Sequence, residues 1–532
     1  RVMTGDLWTS PGEAARGLSA LTEDERYRRF DELQARMAGV WEAMRLNYDD
    51  ESVVVIPSLT LDRTETTGTG TAMQAYEERF LFLLILLREP RLRMVYVTSM
   101  PIAPEIIEYY LSMLPGVIPS HARARLSLVP VNDATPISLS EKLLARPRLL
   151  QRIAALVPNP FRSHLIPYNT TELERDVAIS LGIPMYAADP RLAPLGSKSG
   201  CRQLFAEAGV PHPLGVENLH SIEELADALV GMRAERPAMD SAIVKLNEGV
   251  SGEGNAVVRL KGLPAPGSAG ERDEVLKRLR EMELESVKIP FEVYIAKFAE
   301  NGGIVEERIV GDELRSPSVQ LRVVPGGAIE LLSTHDQLLG GASGQSYLGC
   351  VFPAAPEYAR MITEHAATIG RRLAALGALG RFAIDFVTVR DAAGGWTPYA
   401  IELNLRKGGT THPFLTLQYL TDGRYDPRTA LFVTSLGQEK HLVATDHLES
   451  ELLKGLAPAD VFDIVARHGL HFDQSRQVGV VFHMISCLTE CGRLGLTAVG
   501  NTPAEADRRY RDASRILLAE AEQAFVEQPL PS

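Results

Sequence analysis

Apolar residues recur at helical spacing among dense charges in LTEDERYRRFDELQARMAGVWEAMRL, so residues 12–46 are expected to be helical. ESVVVIPSLTLD reads as a buried strand, TETTGTGTAM as a polar loop and YEERFLFLLILLREP as a helix ended by Pro90. The Thr/Gly run at 66–71 is taken as a flexible surface loop rather than an anion site. Strand and helix then alternate. RMVYVTSM, ARLSLVPVND, SHLIPYN and IPMYAADP are strand-like; PEIIEYYLSML, LSEKLLARPRLLQRIAALV (interrupted at Pro147) and TTELERDVAISLG are helix-like. That alternation implies βαβ units and an open, doubly wound parallel sheet over about 48–195, preceded by a helical extension at 1–47.

After 195 the pattern changes. SKSGCRQLFAEAGVPHP is one helix stopped by Gly209 and Pro211, and SIEELADALVGMRAE is a helix opened by a Ser-x-x-Glu capping box. SAIVKLNEG and NAVVRLKG are strands joined by a glycine-rich turn, and an amphipathic helix follows in ERDEVLKRLREME. Several antiparallel strands are expected from 289 to 351, then the helix PEYARMITEHAATIGRRLAALG. GRFAIDFVTV and YAIELNLRKGG are two strands with DAAGG as their turn. The expected parts are 196–434, with a flap subdomain at about 212–305, and a smaller α/β unit at 435–532 that ends in a strand pair and a long helix.

Composition narrows the classes. The chain has 532 residues, too many for one ordinary core. Its net charge of −13 argues against broad nucleic-acid binding, which needs a basic face. Four cysteines in such a length do not make a disulfide scaffold and fit a reducing cytosol. The run FLFLLILL is far short of the roughly 20 residues that a membrane helix needs. No signal-peptide pattern is seen at the N-terminus. A cytoplasmic protein with no membrane or nucleic-acid partner is expected; a homo-oligomer is compatible with the sequence.

The chemistry concentrates in the two strands around DAAGG. Alternate side chains of a strand share a face, so Glu402, Asn404 and Arg406 line up together and Asp385 faces them from the neighbouring strand. Hard oxygen ligands of this kind suit Mg²⁺ held between protein and nucleotide phosphates. The guanidinium adds a fork for phosphate oxygens. Upstream, Lys198 opens a helix and Lys245 ends a strand before GVSGEGN. There Gly249, Gly252 and Gly254 let backbone amides close on phosphate, and Ser251 adds a hydroxyl. The Gly-x-x-x-x-Gly-Lys-Ser/Thr signature is absent, so this is a hairpin flap. GGIVEERIVGDE offers an extended segment for an adenine and carboxylates for a ribose; an acidic surface strand accounts for it equally well.

The order Lys198, Lys245, glycine flap, Glu-Glu-x-Ile, Asp385 and Glu-x-Asn-x-Arg resembles the ATP-grasp superfamily over about 196–415. More narrowly, STHDQLLGGASGQSYLGCVFPA, LRSPSVQLRV, IELNLRKGGTTHPF and VGVVFHMISCLTECGRLGLTAVG resemble the pheganomycin-type peptide ligases over most of the chain. The resemblance implies an ATP-grasp fold of the α/β class (α+β in its catalytic part), with a Rossmann-like pre-ATP domain before it and a small C-terminal α/β domain after it. It implies ATP and Mg²⁺, with an amino-acid carboxylate donor and an amino-acid or peptide amine as acceptor. By the same resemblance Lys198 and Lys245 contact phosphates, and Gly249, Ser251, Gly252 and Gly254 close over them. Glu306, Glu307 and Ile309 form the adenine hinge, and Glu313 binds ribose. Asp385, Glu402 and Asn404 hold the metal. Arg406 stabilises the transferring phosphoryl group and the later oxyanion.

Other residues have two readings. His335 and Asp336, placed between a strand and a Gly-rich loop, are a satisfied turn or a contact to the amine or acceptor carboxylate; Gln345 is read in the same way. Arg315 and Arg322 bind a substrate anion or form ordinary ion pairs, and His412 lines the acceptor side or packs. His483, Cys487 and Cys491 invite a zinc reading, but without a fourth ligand core packing is favoured. The function expected is amide-bond formation by way of an acyl phosphate, as in natural-product biosynthesis. An ATP-dependent small-molecule kinase and a nucleotide-binding module without turnover are the alternatives.

Overall fold

A computed structural model of the chain describes residues 17–46, 50–60, 70–249, 253–341 and 344–527. The amino-terminal sheet is parallel, in the order Leu126–Pro130, Leu92–Thr98, Glu51–Ile56, Ser163–Pro167. Its two faces feed two separate cores: Val53 and Val55 point into one, Val54 and Ile56 into the other. That is the pattern of a sheet covered on both sides. Helices flank it as the periodicity predicts, including Pro104–Leu111, Pro147–Ala155 and Glu172–Leu181, the last ended by Gly182 at φ +68°. The buried segment Glu78–Arg88 is a 3₁₀ helix that continues the helix Gly70–Glu77. The polar loop expected at 64–73 therefore gives way to helix from Gly70; positions 61–69 lie outside the described residues. IPMYAADP contributes only a bridge, Leu165 to Met185, instead of a full strand.

A five-stranded sheet follows, ordered Gly215–Leu219, Gly303–Glu307, Ser241–Leu246, Asn255–Arg259, Glu283–Leu284. Helices Ile222–Glu235 and Glu271–Arg280 cover it. Ser221 caps the first of these, accepting from the Glu224 amide at 3.1 Å. The capping box is not completed in the expected form, because the Glu224 carboxylate takes the His220 amide instead, at 2.7 Å. The stretch expected to be all strands from 289 begins with the helix Phe291–Asn301. Tyr294 and Phe298 bury one helical face there, and that i, i+4 spacing outweighs the local wealth of β-forming residues.

The largest sheet carries Pro317–Val323, Ile329–Gly340, Ser346–Phe352, Gly380–Arg390 and Trp396–Asn404, all antiparallel. Phe382, Ile384 and Phe386 point to one face with Val319 and Leu321, and the helix Pro356–Ala375 packs there through Tyr358, Ile362, Ala366 and Ile369. Each such side chain contributes roughly 1.5–3 kcal/mol on burial. The approach is close: a Cβ on Gly370 would lie 2.6 Å from Leu321. The opposite face carries Arg381, Ala383 and Asp385, all partly open. The C-terminal strands His441–Glu449, Arg493–Gly500 and Gly479–His483 extend this same sheet from the edge of Ser346–Phe352. The last helix, Pro503–Glu527, lies over them.

Candidate active site

The acidic hairpin is built as its alternation predicts. Asp385 stands directly opposite Glu402, and Ala383 opposite Asn404, with a register shift just beyond Asp385. Glu402, Asn404 and Arg406 are partly open while Ile401 and Leu403 are buried. Like charges directly opposed on neighbouring strands repel. Burial, and then Glu402, push the Asp385 carboxyl up to about 6, with a bond from Ser318 acting against them. Burial also raises Glu402, but the ammonium of Lys198 outweighs it and leaves that carboxyl below its ordinary value. The two titrate as a pair. Lys198 reaches Glu402 from the first turn of Lys198–Glu207, a helix capped by Ser197. The Asn404 side-chain amide donates to Asp385 at 3.1 Å, which turns its carbonyl oxygen away from Asp385. Two opposed carboxylates with one lysine between them, plus an amide oxygen, are a hard-oxygen donor set that fits Mg²⁺.

A cleft of about 1030 Å³ brings the open face of the second strand of this hairpin together with residues far away in sequence. Glu402, Asn404 and Arg406 line it from the large sheet, Gly196 and Ser197 from the start of the helix, and Asn247, Glu248 and Gly249 from the base of the flap. Thr60 and Asn169–Glu172 line it from the amino-terminal sheet. They follow the carboxyl ends of two parallel strands, where ligands of open α/β sheets bind. Arg406 donates to the Lys407 carbonyl at 3.0 Å and lies 5.9 Å from the ring centre of Tyr168.

Asn247, Tyr168 and Asn169 were not anticipated from the sequence. Asn247 joins the flap to the first lysine's helix: its side-chain oxygen accepts from the Ser199 amide at 3.0 Å and hydroxyl at 2.7 Å, and its carbonyl accepts from the Lys198 amide at 3.2 Å. Position after Lys245 and at strand ends was the available signal.

Lys245 sits on the expected strand, fully buried, with its ammonium 2.5 Å from Glu306. Glu306 also takes Arg202 at 2.8 Å, and Glu307 pairs with Arg236 and accepts the Leu214 amide at 2.9 Å. The side chains of Glu306 and Glu307 are thus committed to protein cations. The segment after them, from Arg308 through Ile309, is an irregular link between the five-stranded and the large sheet. Gly254 is needed for close approach, since a Cβ there would meet Leu246 at 3.2 Å and Gly249 at 3.4 Å. Ser251 and Gly252 lie outside the described residues.

Several expected contacts are not brought to the cleft. Glu313 is held by Arg315 at 2.9 Å and Arg390 at 3.0 Å. Its carbonyl accepts from Arg390, five positions beyond Asp385, or about 16 Å along the strand. A ribose contact from Glu313 is therefore not supported, and Arg315 belongs to this surface ion-pair group. Arg322 pairs with Glu330 at 2.5 Å and stacks on Trp41. His335 and Asp336 lie inside the strand Ile329–Gly340 and not in a turn. His335 is fully buried between Ser333, Gln320 and Phe352, and burial pushes it down to about 3, so it is neutral. Asp336 accepts the Ala355 amide at 2.9 Å and the Tyr358 hydroxyl, fixing the start of the long helix. Gln345 accepts from Asn255 at 3.2 Å, so its loop docks on the flap strands.

His412 is buried and does not line the acceptor side of the cleft. Its Nε2 lies 3.0 Å from His483 and 3.2 Å from Asp446. These three come within metal-ligand range of one another among the described residues. Arg79, however, lies 3.2 Å from the other Asp446 oxygen, and Arg493 donates to the Asp446 carbonyl at 2.6 Å. With the Arg79 guanidinium already on its carboxylate, Asp446 acts as a buried counter-ion. Cys487 packs with Ala75 and Met484 and does not join His483, as core packing predicts.

A family model described as "IQCH-like, ATP-grasp" matches residues 190–283 and 269–428, and one described as "PGM1 C-terminal domain" matches 460–513. The L-propargylglycine–L-glutamate ligase of Streptantibioticus cattleyicolor is 28% identical over 455 residues, covering 83% of this chain and 89% of that protein. IQ motif-containing protein H of Danio rerio is 24% identical over 445 residues, 74% of this chain but only 42% of that protein. Among solved structures, the biotin carboxylase domain of the Hydrogenobacter thermophilus 2-oxoglutarate carboxylase superposes with a TM-score of 0.51 at 14% identity, over 87% of this chain and 89% of that one. The fold, the family model over residues 190–428 and a relative matched over most of both chains agree: the chain has the ATP-grasp fold and is similar to ATP-grasp ligases of the pheganomycin type.

Proposed function

We propose that the chain joins the carboxylate of an amino acid to the amine of an amino acid or peptide, using ATP as phosphoryl donor and passing through an acyl phosphate. The observation that carries this reading is the meeting of Glu402, Asn404 and Arg406 on one wall of a single cleft, with Lys198 paired to Glu402 and Asp385 directly opposite it. The matched ligase, named for the two amino acids propargylglycine and glutamate, supports the substrate class. It also supports a place in natural-product biosynthesis.

A carboxylate is a poor acyl donor because oxide is a poor leaving group. When a donor oxygen attacks the γ-phosphorus, its bond to phosphorus forms, the bond to the β-bridging oxygen breaks, and ADP leaves. The amine then attacks the acyl carbon and phosphate departs. Lys198 places a positive charge beside the carboxylates where the phosphates sit. Arg406, held against Tyr168, faces negative oxygen in both steps and stabilises both. The flap, tied to Lys198 through Asn247, excludes water that would hydrolyse the acyl phosphate. Asp385, Glu402 and Asn404 would hold Mg²⁺, which when bound neutralises phosphate charge.

The test is turnover with ATP, Mg²⁺ and pooled amino acids and peptides, read by phosphate release and product mass. ADP and phosphate that need both a carboxylate and an amine support ligation. A phosphorylated compound that survives with amine present makes the chain a kinase. The match to IQ motif-containing protein H, whose printed name carries no activity, motivates the third arm: nucleotide binding without turnover in any pool would favour a binding module.

A further inference from the structure

A second cavity, of about 420 Å³, lies between the amino-terminal sheet and the large sheet and shares no lining residue with the cleft. Its size is that of a small-molecule site. Trp41, Phe82, Leu83 and Tyr419 make it largely apolar. Five cations nevertheless line it: Arg45, Arg91, Arg322, Arg381 and Lys407. Arg381 has no carboxylate within ion-pair distance among the described residues, and its Nη1 is buried without a hydrogen-bond partner. Lys407 is buried, donates only to the Pro167 carbonyl at 2.8 Å, and stands over the Phe80 ring. Glu51 and Glu89, which also line the cavity, pair with neither. Arg322 is already satisfied by Glu330 and Arg45 by Glu42, and Arg91 is partnered as well.

A charge withdrawn from water without a counter-ion is costly, and the buried Lys407 stands here beside Arg381, whose residue is partly open but whose Nη1 is buried. Burial, and then Arg381, push the Lys407 ammonium down to about 7, and burial lowers Arg381. Neither cation has a carboxylate within ion-pair distance among the described residues, and Glu330, the carboxylate that acts on Arg381 from further away, is taken by Arg322.

We propose that this cavity is a second ligand site, which takes a small monoanion with an apolar or aromatic body and sets its carboxylate on Arg381 and Lys407. Lys407 directly follows Arg406 in the chain, so an occupant rests against the back of the residue that faces the reacting phosphate. The site does not depend on the ligase reading.

Phenylbutyrate titrated calorimetrically into the full chain is a suitable probe. One saturable site is expected, with the same stoichiometry when a non-hydrolysable ATP analogue fills the cleft. Phenylbutanol, the uncharged counterpart, should bind at least about tenfold more weakly. Arg381→Met and Lys407→Met should each weaken phenylbutyrate by about tenfold or more, while Arg360→Met, on the exposed face of the long helix, should not. Arg381→Met should also raise the melting temperature of the ligand-free protein, because it removes a charge whose Nη1 is buried without a partner; a merely structural arginine would lower it. If Arg381→Met does not fold, Lys407→Met decides. No saturable binding up to millimolar probe, equal binding of the alcohol, or binding unchanged in both variants would overturn the site.

Discussion

Two carboxylates that face each other across a strand pair tolerate that position only with cations at hand. Lys198 provides one, and the rise of Asp385 to about 6 shows that it is not enough. Apparent Mg²⁺ affinity, measured by titration with a nucleotide analogue, should therefore weaken as pH falls from 7 to 5 and a proton takes the metal's place. Glu402→Gln removes a ligand oxygen's charge and leaves Lys198 unpaired; its turnover should fall by about a hundredfold or more with the circular-dichroism spectrum intact. Near-normal turnover would sink the assignment. Elsewhere, burial pushes Glu78 up to about 7. A folded pKa above the ordinary 4.5 means that the native state holds its proton longer, so this group's stabilisation is complete below 4.5 and is lost as pH rises through 7. Glu78→Gln should gain stability relative to the parent as pH rises from 5 to 8, by up to about 3 kcal/mol. A difference that does not change with pH would contradict that sign.

Strand and helix boundaries show what a sequence reveals and what it hides. The hairpin around DAAGG was legible because alternation and turn chemistry agree. Phe291–Asn301 was hidden because its aromatic and β-branched residues suit a strand, and only its packing shows the helical face. His335 and Asp336 misled for a related reason: a His-Asp pair beside glycines looks like a turn, yet Asp336 caps the next helix from inside a strand. Asp336→Ala should cost about 1–2 kcal/mol of stability by chemical denaturation. It should change turnover only in proportion to the folded fraction. Glycines separate in the same way. A Cβ on Gly303 would fall 2.3 Å from the Lys245 carbonyl and 2.4 Å from Phe298, whereas one on Gly254 comes no closer than 3.2 Å to Leu246 and 3.4 Å to Gly249. Gly303→Ala should thus destabilise by about 1–3 kcal/mol and clearly more than Gly254→Ala. Equal losses would show that the backbone around Gly303 gives way.

Three sheets converge on one cleft, and that convergence was the least legible level. Lys198, Asp385, Glu402, Asn404 and Arg406 were readable from order and parity, but Asn247, Tyr168 and Asn169 depend on how the sheets are placed. The C-terminal strands continue the sheet that carries the acidic hairpin. A chain ended at residue 434 would expose the edge of Ser346–Phe352 and should aggregate on expression, seen as loss of a defined species in gel filtration. Amide formation through an acyl phosphate makes one demand that neither a kinase nor a binding module shares. An oxygen of the donor carboxylate must end up in the released phosphate. The decisive measurement uses a donor amino acid labelled with heavy-isotope oxygen in its carboxylate, with phosphate analysed by mass. One labelled oxygen per phosphate, released together with the amide, is the predicted result. Unlabelled phosphate accompanying amide, or label retained in a stable phosphorylated compound, would contradict it.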